Sequence, residues 1–192
     1  MRITQGFNEV DRQRVAHLYW DAFGEKLGRV MGPDTKGIAF IERVARPDHA
    51  ICAYDGDDLL GVAGFKTADG AFVDGGIADM AAIYGWIGCL WRIALLAALE
   101  RDVDNKRFLM DGIFVSAEAR GRGVGSTLLD ALGAEALRRG YNEMRLDVID
   151  KNTRARALYE RKGFRAVHTS GTGPLRHVFR FKQATMMVRN LS

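Results

Sequence analysis

Apolar and polar positions along the chain follow two rhythms, a helical one and a strand-like one, and their succession divides it into elements. Arg2 to Phe7 fits an edge strand. Val10, Val15, Leu18, Tyr19 and Ala22 then share an approximate face of a helix from about Glu9 to Phe23, with Asn8 placed to cap it. A shorter helix fits Lys36 to Val44. It has to stop before Arg46-Pro47, because proline disfavours helical geometry in the residue ahead of it. Ala50 to Tyr54 and Leu59 to Lys66 are apolar runs around Asp55-Gly56-Asp57-Asp58, which reads as a β-hairpin with Asp-Gly supplying the turn's unusual backbone angles.

A glycine-rich loop over residues 68–78 leads into an apolar segment from Met80 to Glu100. Its length approaches the ~20 apolar residues of a membrane-spanning helix. Arg92 lies near its centre, however, and a charge there costs several kcal/mol in hydrocarbon. A buried or substrate-lining helix is the better reading, and no membrane association is expected. The second half is more regular. Arg107 to Val115 reads as a strand, Gly125 to Arg139 as a helix and Glu143 to Ile149 as a strand. Asn152 to Lys162 is again helical, and strands follow at Phe164 to His168 and about His177 to Val188. Strand, glycine loop, helix and strand in succession form a βαβ unit with parallel strands. With no linker, repeat or low-complexity run, residues 1–192 read as one domain.

Composition changes this picture little. An apolar content of 47% over 192 residues belongs to a globular chain with a sizeable core. Cys52 and Cys89 match no metal-ligand or redox spacing, so they read as buried thiols, and no metal is expected. Met1 to Gln5 lacks the apolar core of a signal peptide, which points to the cytoplasm. The net charge of +4 suits a small anionic ligand. Many basic residues fall between Arg120 and Lys162 without a recognisable reading helix, so nucleic acid is not expected as a partner.

The strongest chemical signal is the loop Arg120-Gly121-Arg122-Gly123-Val124-Gly125, between the Arg107–Val115 strand and the next helix. Glycines let the backbone take positive φ and approach a ligand, and successive N–H groups at a helix N-terminus attract anions. A P-loop would need lysine where Ser126 stands, and a dinucleotide fingerprint would need a different glycine spacing. Arg-x-x-Gly-x-Gly is satisfied by Arg120, Gly123 and Gly125.

That pattern resembles the cofactor signature of the GNAT superfamily of acetyl-CoA-dependent N-acetyltransferases. Downstream, Asn152, Ala155, Leu158, Tyr159, Gly163 and Phe164 fit the superfamily's second signature, Asn-x-x-Ala-x-x-Leu-Tyr-x-x-x-Gly-Phe. The resemblance is strong over residues 107–168 and rests on element order before that. It implies a mixed α+β fold: a mostly antiparallel twisted sheet of about six to seven strands, flanked by helices, with a parallel, splayed fourth and fifth strand. Residues 1–106 would form the acceptor side, and 107–192 the acetyl-CoA-binding core and C-terminal strands.

It also implies direct attack of an amine on the thioester of acetyl-CoA, with no acyl-enzyme. The backbone of Phe114 and Val115 would hold the pantetheine arm and thioester carbonyl. The amides of Arg122, Gly123, Val124 and Gly125, with Arg120 and Ser126 alongside, would take the pyrophosphate. Asn152 would touch the arm, and Tyr159 would protonate the departing thiolate. A plain helix-end packing role for Tyr159 against Phe164 is the competing reading. Asp111 is the first candidate for general base, with Asp74, Asp79 and Tyr84 as rivals, while His17, His49, His168 and His177 match no triad spacing. Met80, Tyr84, Trp86 and Trp91 would line the acceptor pocket or else pack the core. The expected acceptor is a small-molecule or amino-acid-like amine, and a homodimer is compatible with this reading. A catalytically silent acyl-CoA-sensing domain is the alternative.

Overall fold

The computed structural model describes residues 1–97, 107–173 and 176–191. The chain opens with strand β1 (Arg2–Gln5), a 3-10 turn (Glu9–Asp11) and helix α1 (Arg12–Met31). Helix α1 runs a full eight residues beyond the expected Phe23, and Asn8 makes no side-chain capping bond. Two features carry the extension. Val30 and Met31 at its far end are buried, and Gly32-Pro33 then stops it, since the residue before proline avoids helical geometry. Helix α2 (Asp34–Val44) returns across α1.

Strands β2 (Ala50–Asp55) and β3 (Asp58–Thr67) form the expected hairpin, with Gly56 at φ 59 in its turn. Within the glycine-rich loop a short strand β4 (Gly70–Ala71) folds back on β3. Helix α3 (Ile77–Ala97) follows; residues 98–100 of the expected apolar segment lie outside the described residues. Then come β5 (Phe108–Val115), α4 (Val124–Arg138), β6 (Glu143–Ile149), α5 (Thr153–Arg161) and β7 (Arg165–Gly171). The expected strand from His177 divides into a helical turn α6 (Arg176–Phe179) and strand β8 (Gln183–Asn190). Phe179 and Phe181 are both buried in the core around α1, which the turn allows and a straight strand of period two between them and β8 would not require.

The sheet has the order β1-β2-β3-β5-β6-β8-β7, with β4 attached to β3. Among the described residues only β5 and β6 pair in parallel, over just two positions, Phe108 with Met144 and Leu109 with Arg145. A bulge explains why they part. Gly64 pairs with Gly112 and Phe65 with Met110, so Asp111 is an extra residue on β5. Beyond it, the strand bends and its alternation shifts. From Asp111 to Val115 on one side and Leu146 to Ile149 on the other, the facing edges are unpaired with each other.

Helices occupy both faces. α1, α2, α3 and α6 cover one core, which holds Trp20, Phe40, Phe72 and Phe114. α4 and α5 cover the other, which holds Phe65, Phe108, Leu128, Leu132, Leu146 and Tyr159. The α1–α2 contact leaves no room for a methyl group at Gly37, where an added Cβ would lie 2.1 Å from the Trp20 ring. Gly37→Ala should therefore displace Trp20 and destabilise the fold by about 1–3 kcal/mol. A thermal melt followed by tryptophan fluorescence should fall by several degrees, and an unchanged melt would refute this packing.

Helix α3 is long and apolar enough to cross a membrane by length and composition. It is nevertheless broken at Gly85 (φ 73, ψ 164), so its two halves follow different axes. Arg92 fastens it to α1: its Nε donates to the Val30 carbonyl at 2.7 Å, and its guanidinium stacks over Tyr84 at 4.2 Å and Trp91 at 4.3 Å. The cation thus meets the negative end of α1.

Candidate active site

Gly121 (φ 83) and Gly123 (φ 82) both lie in the left-handed region, and a Cβ at either would meet nothing within 4 Å. Their requirement for glycine is conformational, and the space above the loop is open. Helix α4 begins there with no side-chain cap. Its first amide bonded along the helix is Thr127, which donates to Gly123 at 3.1 Å. The N–H groups of Gly123, Val124, Gly125 and Ser126 therefore reach the helix end with no protein acceptor among the described residues. Four such donors at the positive end of a 15-residue helix make an anion cradle. The amide of Arg122 is differently placed: it closes a turn by donating to Ala119 at 3.3 Å. The Arg122 side chain pairs with Asp55 at 2.9 Å, and Arg120 Nε donates to the Val115 carbonyl at 3.3 Å, both at the exposed surface.

The loop sits beside the parting of β5 and β6. Ser116 N–H donates to Leu60 on β3 at 2.8 Å. In an antiparallel ladder residues two apart face the same way, so Phe114 also bonds towards β3. Its neighbours Ile113 and Val115 then turn their backbone groups into the gap. The family resemblance put the backbone of Phe114 and Val115 on the pantetheine arm; the register turns the backbone of Ile113 and Val115 into the gap, while the Phe114 ring packs beside Tyr19 and Phe72. Gly125 joins loop and gap: a Cβ there would lie 3.3 Å from Leu158 of α5, with Ile113 and Val115 side chains at 3.9 and 4.0 Å.

Helix α5 starts on Asn152, whose side-chain oxygen accepts the Ala155 N–H at 3.2 Å. It ends on Gly163 at φ 84, with Phe164 N–H donating to Tyr159 and Gly163 N–H to Glu160, both at 3.0 Å. This is a Schellman closure, and the Tyr159 and Phe164 rings pack with centroids 5.9 Å apart. The packing role of Tyr159 is thus present. It does not use the hydroxyl, which makes no hydrogen bond among the described residues. Burial raises the phenol's pKa, so Tyr159 stays protonated at neutral pH.

On the other sheet face, between α1, α2, α3 and the parted strands, lies a cavity of about 420 Å³. Asp111 reaches it from the bulge on β5, and Asp147 from β6 across the gap. Lys66 of β3 and Lys26 of α1 complete its charged lining, while Leu27, Phe40, Met80, Ile93 and Leu96 make much of the rest apolar. Asp111 is exposed to the open cavity, yet it sits deep among surrounding protein, and this desolvation raises its pKa above the usual carboxylate range. Lys66, Lys26 and the Val73 N–H, which donates to the carboxylate, act in the opposite direction.

The rival bases are otherwise engaged. Asp74 pairs with Arg46 at 2.8 Å. Asp79 pairs with Arg43 at 2.7 Å and accepts the Gly76 N–H, and the Tyr84 hydroxyl donates to the Met31 carbonyl. Among the described residues no histidine lines the cavity; His49 is buried against Thr67 at 3.2 Å. Of the four α3 side chains expected at the pocket, only Met80 lines it. Trp86 is 70% exposed and Trp91 44%, because the break at Gly85 turns them outward, so they neither line the pocket nor pack the core.

Loop, gap and cavity meet at one place in the fold. Residues 12–164 match the acetyltransferase (GNAT) family, which spans every element of that place. The chain belongs to the GNAT family of acetyltransferases. It is 35% identical over 82 residues to the bovine (Bos taurus) thialysine N-epsilon-acetyltransferase, a stretch covering 43% of this chain and 46% of that protein. The chain therefore spans under half the length of that curated relative. In fold it is similar to an N-acetyltransferase from Staphylococcus aureus Mu50, with a TM-score of 0.67 and 16% identity over 98% of this chain and all of that one. A similar match is yncA from Salmonella typhimurium, a structure with acetyl-CoA, with a TM-score of 0.61 and 16% identity over 100% of this chain and 94% of that one. The GNAT family uses acetyl-CoA as co-substrate.

Proposed function

We propose that this enzyme acetylates the primary amine of a small acceptor bound in the Asp111 cavity, by direct transfer in a ternary complex. The observation that carries the reading is the bulge at Asp111. It opens the sheet next to the uncapped N-terminus of α4 and places a carboxylate on the cavity side of the same opening. Acetyl-CoA, when bound, supplies an activated acetyl thioester. The free amides of Gly123 to Ser126 would take its pyrophosphate, and Arg120 and Arg122, whose surface contacts are weak, would add charge. The backbone groups of Ile113 and Val115 would bond the arm as an added strand edge and donate to the thioester oxygen. Such fixed donors need no reorganisation as negative charge develops.

An amine arrives protonated at neutral pH, and Asp111 would accept a proton from it, directly or through water. Tyr159 would return a proton to sulfur; its phenol is neutral and its hydroxyl is unused by the fold, which supports the role. Asn152 caps α5, and by the family resemblance its side chain would also contact the CoA arm. The bovine relative's name places transfer at the ε-nitrogen of thialysine, in keeping with a small, amino-acid-like acceptor.

Free CoA release with a panel of amines tests this reading. Tyr159→Phe should lower kcat about a hundredfold, with CoA affinity and melting temperature nearly unchanged, because the packed ring is retained. Native kcat in that variant would leave Tyr159 only its helix-end role. Tight CoA binding with no turnover on any amine would sink the transfer reading itself.

A further inference from the structure

Beyond its break at Gly85, helix α3 is built inside out. Its one charged residue there, Arg92, is turned inward, where the guanidinium donates to the carbonyls of Val30 at 2.7 Å and Gly88 at 2.8 Å. Buried Cys89 and partly buried Ile93 share that inner side and pack on the core around α1. The exposed positions between residues 86 and 94 are Trp86, Ile87, Leu90, Trp91 and Ala94, and all five are apolar. Trp86 is 70% exposed, Ile87 89%, Leu90 68% and Trp91 44%. At 3.6 residues per turn the five lie on one continuous face, opposite Arg92. A helix of a globular protein that is apolar on every side is normally covered on every side.

We infer that this face is where a second copy of the chain docks, α3 against α3 across a two-fold axis. Its pattern favours a helix as the occupant. Ile87, Leu90 and Ala94 follow the three- and four-residue spacing of a helix-pairing seam, which a lipid surface does not require. Its chemistry favours a like helix. The face carries no charge, so a two-fold sets no like charges opposite one another. Its shape is self-complementary as well. Ile87 and Ala94 are equidistant from the middle of the stripe, between Leu90 and Trp91. With the two helices antiparallel, Ile87 of one copy therefore lies over Ala94 of the other, bulky against small, on both sides of the axis. The four large side chains expose roughly 500 Å² of apolar surface, at the upper end for a patch on a monomer. That is more than half of the ~800 Å² that one partner buries in a standard interface. Ile93 and Leu96 on the inner side of the same helix line the Asp111 cavity, so a docked copy braces the cavity wall from behind.

Sedimentation velocity of the full chain at micromolar concentration should give a mass twice the 21.3 kDa of one copy. Leu90→Glu and Leu90→Lys should each sediment as monomers, with the dissociation constant raised at least about thirtyfold, as for a residue central to an interface. Because Leu90 is exposed, their circular dichroism and melting temperatures should stay close to native. An equimolar mixture of the two variants should regain the dimer, since the two-fold brings position 90 of one copy near position 90 of the other. A native chain that stays monomeric overturns the inference. So does a monomer that binds phosphatidylcholine–phosphatidylglycerol vesicles and loses that binding in Leu90→Glu, which would give the face to lipid. A dimer that survives in both variants would form through another face, and a mixture that stays monomeric would refute the antiparallel pairing.

Discussion

Replacing Asp111 by asparagine should lower kcat by about 10² to 10⁴, the usual range for loss of a positioned general base, while slightly raising the melting temperature at neutral pH. The two effects have one cause. Asp111 is desolvated on the cavity wall, so its charged form is disfavoured in the folded protein relative to the unfolded one. Its pKa is therefore higher in the fold. The resulting penalty is absent below the unfolded pKa, grows as pH rises through the folded pKa, and is fully present above both. Asparagine removes the charge while its side-chain oxygen can still accept the Val73 N–H. In the native enzyme the acid limb of kcat/KM should lie above the ordinary carboxylate range, and in Asp111→Asn that limb should vanish. A pH profile of both proteins, with melts alongside, decides the matter. Unchanged kcat, or a limb that survives the substitution, would move the base elsewhere, and Asp147 would be the next group to change.

Gly123→Val should abolish measurable CoA binding, or weaken it about a hundredfold or more. At φ 82 an L-residue with a branched side chain costs at least about 1–2 kcal/mol, so the loop would relax and turn its amides away. Losing two charge-assisted bonds of roughly 1.5–3 kcal/mol each accounts for the rest. Titration calorimetry with CoA measures it, with circular dichroism to show that α4 still forms. The milder Gly123→Ala should give an intermediate loss. Arg122→Gln should lose only several-fold, because Arg122 lies exposed and its own amide is already bonded to Ala119. Undiminished CoA affinity in Gly123→Val would place the pyrophosphate away from this loop.

Much of this site could be read from residue order alone, because both of its motifs are local. The Arg-x-x-Gly-x-Gly loop and the Asn152–Phe164 helix each fix geometry within one or two turns, and each formed close to the bounds its capping residues set. The GNAT fold, with its parallel pair in a mostly antiparallel sheet, followed from them. Other features depend on distant partners. Which backbone groups of β5 face the gap is decided by pairing with β3 and by the bulge, so the turn of the Ile113 backbone into the gap emerged only from the register. Lys26, Lys66 and Asp147 converge from α1, β3 and β6, and no spacing within one segment announces such a meeting. Asp147 did leave a trace, as the polar position between Leu146 and Val148, whose side chains face the opposite core. The extension of α1 was hidden by Gly24 and Gly28, which read as helix breakers but are tolerated because buried Val30 and Met31 anchor the final turn.

The sheet that separates the two cores also separates two kinds of evolutionary freedom. Side chains under α4 and α5 support the cofactor loop, whereas those under α1, α2 and α3 shape the cavity, and successive residues of β6 point alternately to one and the other. A substitution at Asp147 or Ile149 can re-line the cavity without disturbing the wall behind the cofactor, and one at Leu146 or Val148 does the reverse. Strand parity thus makes the acceptor side an exchangeable lining on a fixed chassis. A library confined to cavity-facing positions of β6 and α1 could shift acceptor choice while sparing the cofactor half of the molecule.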